Sequence, residues 1–293
     1  MNPFVSFAGS SIQDHLILRQ RLGYTDARHR NTTLQAFDRY LQTRGITFFQ
    51  EVNTQLVSDF IRAPSGQCAA TKNLRLKYIR ILVRYWLRVG LLEQDPTVSI
   101  PFLPEERRKP YIYTLQELGR LLQIAETWKH RRAYRFSGWT AQTLFYLIYS
   151  CGLRVGEAVN LKIKDVDFDD NSLSLWKTKF HKERLVPFSL ETAAKLKVYA
   201  AVRNARFPVR TPRDFFFRHA RGPYTTSMAQ WLFRRLLSEA GMAAHKPRPR
   251  IHDLRHSFAV HRLYQWYQEG YDLLNRLPLL STYLGHYVGC CWC

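Results

Sequence analysis

The sequence has little of what marks exported, membrane-bound or disulfide-stabilised proteins. Its longest uncharged stretch, Phe136 to Leu153, contains Ser, Thr, Gln and Gly and is too polar to predict a membrane span. The first residues show no basic segment followed by an apolar one, so we expect no export signal. Only five cysteines occur, three of them within the last four residues, which excludes a disulfide framework. These features favour a reducing, cytoplasmic setting.

Acidic residues are also scarce. Asp and Glu number 23 against 44 Lys and Arg, and the formal net charge is +21. Residues 1–100 have a net charge of +6 and the remainder of +15, so the excess is not confined to one tail. Hydrophobic residues make up 46% of the 293, which is enough for ordinary cores in about two domains. A long polyanion such as a phosphodiester backbone is the expected partner of such a chain.

Residues 1–100 predict a helical domain. Its strongest helix is expected from about Thr71 to Gly90, with apolar residues at helical spacing on one face. The opposite face carries four cations without interleaved acids, namely Lys77, Arg80, Arg84 and Arg88. Such a face can be merely solvated. In a chain this basic, it favours contact with DNA phosphates.

Prolines then interrupt the pattern, and residues 101–112 are interpreted as an extended linker to a second domain at 113–293. That domain should begin with a helix capped by Thr114 and Glu117. A later helix should end at Gly152, followed by alternating apolar residues with a turn at 169–171, which predicts a hairpin. From Ser189 onward the pattern is helical again, apart from proline-rich stretches at 208–212 and 247–249. The expected fold is mainly α with a small antiparallel β-sheet.

Separated clusters in this second domain carry groups that can bind a phosphate. Arg154 follows Gly152 and opens a helix, with Glu157 three residues on; alone, such a pair is usually structural. Lys179 lies in a basic segment at the expected hairpin tip, where it is either solvated or inserted into a groove.

The third cluster is a helical one. His252, Arg255 and His256 share one side of a predicted helix, and His286 follows a later glycine. The two histidines at this spacing also suggest a metal site, but no third ligand is evident, so we expect no metal and no other cofactor.

These clusters, in this order, resemble the boxes of the tyrosine recombinase, or phage integrase, family. Arg154 and Glu157 match its first box, and Lys179 matches its β-hairpin lysine. The segment from Lys182 to Pro187 matches the run that usually follows that lysine. His252, Arg255 and His256 match the His-x-x-Arg box, and His286 matches the Leu-Gly-His box. The resemblance is dense in the second domain and only compositional in the first, where the family has a core DNA-binding domain.

The resemblance implies a site-specific recombinase or transposon integrase that cuts and rejoins double-stranded DNA through a 3′-phosphotyrosyl intermediate, within an oligomer on DNA. Arg154 and Arg255 would clamp the phosphate. Lys179 would protonate the leaving 5′ oxygen, His252 would assist proton transfer, and His286 would hydrogen-bond the phosphate. Glu157 and His256 would support these groups.

The family's nucleophile is the one feature for which this sequence has no match. It is a tyrosine roughly nine residues after the Leu-Gly-His histidine, a position that falls beyond Cys293. We therefore expect a truncated or frameshifted end that also lacks the C-terminal docking helix. The alternatives are a tyrosine supplied by a partner subunit, or zinc bound by Cys290, Cys291 and Cys293 with His286.

The same sequence features are compatible with functions other than recombination. The main alternative is a catalytically inactive DNA-binding protein that occupies recombination sites or regulates active partners. A type IB topoisomerase shares the chemistry, but the His-x-x-Arg-His box and the small size count against it. A helix-turn-helix repressor explains the charge and leaves the ordered boxes as coincidence.

Overall fold

Helical spacing of apolar residues in the first hundred positions produces a helical unit. The structure is a computed structural model that describes residues 4–24, 28–63, 66–106, 108–128, 135–176, 183–219 and 222–285. The chain folds as two units, Met1–Arg107 and Arg108–Cys293. The helices of the first unit are α1 (Gly9–Arg21), α2 (Arg28–Thr43), α3 (Thr54–Arg62) and α4 (Ala69–Arg88).

The core of the first unit forms around α4. Trp86 is fully buried against Phe37, and its indole Nε1 donates to Ser11 Oγ at 2.9 Å. The helix predicted from about Thr71 to Gly90 is confirmed, because α4 ends two residues before Gly90. That glycine has a φ of +75° and turns the chain out of the helix.

The proline-rich stretch after α4 forms neither helix nor strand across residues 101–106 and 108–114. Its start is fixed by Asn73, whose side chain accepts from Leu103 N–H and donates to the Leu103 carbonyl, both at 2.8 Å. The two units meet in sequence at residues 107 and 108, within the stretch interpreted as a linker.

The second unit surrounds one central helix. Its helices are α5 (Leu115–Thr127), α6 (Arg135–Ser150), α7 (Val155–Asn160), α8 (Leu190–Arg206), α9 (Thr226–Glu239), α10 (Ile251–Gln268) and α11 (Leu273–Leu284). Leu144, Phe145 and Ile148 of α6 are fully or almost fully buried in the main core. Helix α5 begins as predicted, since Thr114 Oγ1 accepts from Glu117 N–H at 3.1 Å and the Glu117 carboxylate accepts from Thr114 N–H at 2.8 Å.

The predicted hairpin is confirmed and belongs to an antiparallel sheet of β1 (Val166–Asp167), β2 (Ser172–Leu175) and β3 (Arg184–Pro187). The β1–β2 turn contains Asn171 with a φ of +47°, a conformation that Asn tolerates. Leu173 pairs with Val186 and Leu175 with Arg184, so β3 starts directly beside the end of β2. The structure is thus mainly α with a small antiparallel sheet, as expected.

The expectation of helix and proline-rich loop from Ser189 onward was wrong in one place. Residues 218–223 contain a second small sheet, β4 (Arg218–His219) paired with β5 (Gly222–Pro223). Strands of two residues are too short to show an alternating pattern, which explains why the sequence did not reveal them. Within the described residues, no helix has the length and apolar character needed to cross a membrane.

Candidate active site

A glycine turn between α6 and α7 places Arg154. Gly152 has a φ of +58°, and a Cβ there would lie 2.6 Å from the Phe258 ring and 2.7 Å from a Leu284 methyl group. The missing side chain therefore lets the turn pack directly against α10 and α11. Arg154 follows as the N-cap residue of α7, at the start of a helix as the sequence predicted.

The Glu157 carboxylate lies among several guanidinium groups. Its Oε1 accepts from Arg154 Nη1 at 2.7 Å and from Arg184 Nη1 at 3.0 Å. Its Oε2 accepts from Arg184 Nη2 at 2.9 Å and from the backbone N–H of Arg154 at 2.8 Å. Arg255 Nη1 lies 3.9 Å from Oε2. One carboxylate thus lies within 4 Å of three arginines. These four side chains together have more positive than negative charge, which favours binding of an anion.

Arg255 connects three segments of the second unit. Its side chain is 4% exposed, and its two Nη atoms donate to the carbonyls of Gly152 and Leu284, each at 2.6 Å. Arg154 makes a similar contact, from Nη2 to the Gly285 carbonyl at 3.1 Å. These bonds hold the α6–α7 turn, α10 and the end of α11 together. A guanidinium has N–H donors beyond those used in these contacts.

The pKa values follow from this crowding. Burial by itself would raise the pKa of Glu157, but hydrogen bonds and charge from Arg184 and Arg154 outweigh burial and hold that pKa below its usual value. Burial and the neighbouring Arg154 lower the pKa of Arg255 to about 9, so it remains charged at neutral pH. At pH 7, Glu157 is therefore a carboxylate and Arg255 a guanidinium cation.

The predicted histidines lie on the first turns of α10, on one side of the helix. The rings of His252 and His256 are nearly perpendicular, with centroids 4.8 Å apart. Desolvation, followed by the charges of His256, Arg255, Arg250 and Arg154, lowers the pKa of His252 to about 4. His252 is therefore neutral at physiological pH. A neutral imidazole can accept a proton, which is the role that the resemblance implies.

Two predicted site residues, Lys179 and His286, lie outside the described residues. Gly285, the last described residue before His286, lies close to Arg184. Gly285 has a φ of +68°, and a Cβ there would lie 2.7 Å from Arg184 Nη1. The Cys290, Cys291 and Cys293 alternative also lies outside the described residues. No group of three His, Cys, Asp or Glu side chains suited to a metal occurs in the part of the chain that the structure describes.

Arg184 is a site residue that sequence reasoning did not select. It stands in the matched run after the hairpin lysine, but its bidentate contact with Glu157 spans 27 positions of sequence. Only the fold brings the start of β3 beside α7. The available signal was an arginine at a strand start opposite an acidic helix N-terminus, which is too common to be informative.

Tyr283, one residue before the Leu-Gly-His box, packs inside the second unit. Its hydroxyl donates to the Pro187 carbonyl at 3.2 Å, and its ring stacks on Phe258 with centroids 5.7 Å apart. The hydroxyl is thus directed to the end of β3, while burial raises the pKa of Tyr283. These contacts make it a packing residue between α10, α11 and the sheet.

The basic face of α4, in the first unit, is not uniform. Lys77, Arg84 and Arg88 are exposed. Arg80 instead donates through Nη2 to the carbonyls of Thr97, at 3.2 Å, and Ile100, at 2.5 Å. Its guanidinium also lies 4.5 Å from the centroid of the Phe102 ring. Arg80 therefore anchors the segment after α4, and three cations of the predicted stripe face solvent.

Comparisons with known proteins agree with this geometry. The sequence profile described as the phage integrase family matches residues 113–286, more than half of the chain. The protein y4rB of Sinorhizobium fredii is 33% identical over 281 residues, which cover 94% of this chain and 88% of that protein. Tyrosine recombinase XerC of Bacillus subtilis is 28% identical over 255 residues, covering 85% of this chain and 79% of XerC.

Solved structures share the fold. A lambda integrase dimer bound to a COC' core site superposes with a TM-score of 0.69 at 16% identity, covering 98% of this chain and 75% of that chain. A lambda integrase tetramer bound to a Holliday junction gives the same TM-score and identity, with coverage of 99% and 80%.

Proposed function

The chain belongs to the phage integrase family of tyrosine recombinases, and we propose that it is a site-specific recombinase that breaks and rejoins double-stranded DNA. The observation that carries the proposal is the cluster of Arg154, Arg184 and Arg255 around the buried carboxylate of Glu157. It is a preorganised cationic site with guanidinium donors, which suits a phosphodiester on which negative charge builds up during transfer.

In the proposed reaction, Arg154 and Arg255 bind the non-bridging oxygens of one DNA phosphate. A tyrosine hydroxyl attacks the phosphorus, a P–O bond to tyrosine forms, and the P–O5′ bond breaks. Lys179 gives a proton to the leaving 5′ oxygen, and neutral His252 accepts the proton of the attacking hydroxyl. His286 donates to the phosphate. Attack by a 5′ hydroxyl of another strand then reverses these steps and releases the tyrosine.

Glu157 and His256 act on their neighbours rather than on DNA in this proposal. Glu157 orients Arg154 and Arg184, and His256 packs edge-to-face against His252. The proposal assigns the nucleophile to none of residues 1–293, because the family spacing from His286 points past Cys293. The alternative function, a protein that occupies recombination sites without cutting them, uses the same phosphate site.

We also propose that the first unit contacts the DNA backbone through Lys77, Arg84 and Arg88 of α4, without Arg80. Recombination joins two duplexes, so several copies should assemble on DNA, as in the lambda integrase tetramer on a Holliday junction. Its DNA substrate would place the protein in the cytoplasm.

The test uses the protein extended past Cys293 so that a tyrosine stands roughly nine residues after His286. Its preferred DNA site is first selected from a random duplex library. A plasmid with two copies of that site should be resolved into two circles. Arg154→Gln should abolish resolution, because the phosphate loses a charged donor. The control is Arg120→Gln, which removes an equal charge from the exposed surface of α5 and should recombine normally.

The outcomes separate the functions. Selection of a site with no recombination and no covalent DNA–protein complex would favour the occupying role. Failure to select any DNA site would contradict both.

A further inference from the structure

A cationic segment leads directly into α10 from outside the arginine cluster. Lys246, Arg248 and Arg250 are exposed, while the intervening Pro249 is buried and holds the segment against the unit. Arg108 and Lys109, at the start of the second unit, are also exposed. Together these cations, Arg108, Lys109, Lys246, Arg248 and Arg250, form what is called here the basic strap.

Contacts at both ends fix the strap in place. Arg108 Nη2 donates to the Arg248 carbonyl, which joins the two parts of the strap. The Arg250 N–H donates to Asp253 Oδ2 at 2.8 Å, within the cap of α10. Before the strap, His245 Nδ1 lies 2.9 Å from the Tyr111 hydroxyl, with the two rings stacked. The cations are therefore displayed on an anchored segment rather than on a free loop.

Almost none of the cations in the basic strap is paired with a carboxylate. Across the described ranges, Lys109, Lys246 and Arg248 form no ion pair with a carboxylate. Only Arg250 has one, at 3.9 Å from Asp253 Oδ2. That carboxylate is fully buried and also accepts from the α10 cap. Uncompensated, exposed cations on a fixed segment are typical of a surface that binds a polyanion.

The position of the strap identifies the polyanion. Arg250 comes two residues before His252 and five before Arg255, and its charge is among those that lower the pKa of His252. The backbone at Arg250 is extended, with a φ of −131° and a ψ of 159°, so the segment runs straight into α10. A strand whose phosphate lies at Arg154 and Arg255 would carry its neighbouring phosphates along the strap.

We propose that the basic strap binds the DNA backbone beside the phosphate held by the arginine cluster. The inference rests on the proposed function and adds to it a second set of phosphate contacts. These contacts position the strand without reading its bases, so they should contribute equally on all sequences. An acidic protein surface is the competing occupant, and the experiment distinguishes it.

The test is the salt dependence of binding to a random-sequence duplex, measured by fluorescence anisotropy with the full-length protein. The variant Lys246→Gln/Arg248→Gln removes two cations from the strap. The matched control, Lys195→Gln/Lys197→Gln, removes two cations from α8 in the same unit. Both pairs are exposed, so thermal unfolding should be unchanged.

The strap variant should reduce the slope of log Kobs against log salt by about 1.8, since each lost phosphate contact contributes about 0.9. The control should keep the wild-type slope. An unchanged slope in the strap variant overturns the inference but leaves the proposed function intact, because the protein still binds DNA. Equal reductions in both variants also overturn it, since binding then follows net charge alone. Absence of DNA binding by the wild type overturns the proposed function itself.

Discussion

Glu157 is the residue on which the arginine cluster depends. Its side chain is 8% exposed and holds two guanidinium groups by direct hydrogen bonds. Removing one member of a buried ion pair is costly because the remaining charges stay buried without a partner. The three arginines would then repel one another around an empty position. The stability of this part of the unit should therefore be sensitive to the ionisation of a single carboxylate.

Glu157→Gln should lower the free energy of unfolding by about 3 kcal/mol at pH 7. The folded-state pKa of Glu157 lies below its usual value, so its stabilising contribution is complete above that value and is lost as pH falls through the folded-state pKa. The difference between wild type and variant should shrink as pH decreases below about 4.5. Urea unfolding at pH 7, 5 and 4 measures this difference.

The matched control is Glu191→Gln on α8. Glu191 is 73% exposed and lies 3.7 Å from Lys195, so its loss should cost about 0.5 kcal/mol or less. A Glu157→Gln difference that stays constant with pH would mean that the carboxylate is not linked to folding as described.

Sequence reasoning at this scale found single residues but not their partners. Arg154 and Glu157 are three residues apart, and their contact is accessible from helical spacing. The contacts of Arg184 with Glu157, and of Arg255 with the carbonyls of Gly152 and Leu284, join distant positions. No local pattern encodes them, because they depend on how α7, α10, α11 and β3 pack.

At the scale of elements, glycine turns determine how closely the helices of the second unit approach one another. The α6–α7 turn at Gly152 touches Phe258 and Leu284, whereas the turn at Gly270, with a φ of +78°, has nothing within 4 Å of a built Cβ. Both glycines adopt the left-handed conformation, but only Gly152 also lies where a side chain would clash with its neighbours. Comparing them separates backbone strain from packing.

Gly152→Ala should destabilise the protein by about 3 kcal/mol, because left-handed strain of about 1–2 kcal/mol adds to overpacking of about 1–3 kcal/mol. Gly270→Ala should cost only the strain, about 1 kcal/mol. Chemical denaturation of the two variants measures the difference. Equal losses would show that the turn does not pack against α10 and α11 as described.

Elements with local signals were predictable. Helix α4 ends near Gly90, α5 starts at its capping box, and the β1–β2 turn lies at Asn171, since each depends on residues close in sequence. The β4–β5 sheet was missed because its strands have two residues each. The role of Arg80 was also hidden, since its acceptors lie on a segment 17 and 20 residues away.

At the scale of the whole molecule, the net charge of +21 is shared by both units, and each has its own exposed cationic surface. In the first unit this surface is the α4 face, and in the second it is the basic strap. The arginine cluster differs from both because it is largely buried and organised by Glu157. We therefore propose that the exposed cations attract the DNA backbone and that the cluster binds the reacting phosphate.

One measurement tests this assignment most directly. In the selected DNA site, each phosphate in turn is replaced by a neutral methylphosphonate, and the affinities of wild type and Arg154→Gln are compared. We expect one position at which methylphosphonate substitution clearly weakens binding by the wild type but hardly weakens binding by Arg154→Gln. At that position the coupling free energy between the phosphate and Arg154 should be about 1.5 kcal/mol or greater. Strictly additive losses at every position would contradict the claim that Arg154 binds one defined phosphate.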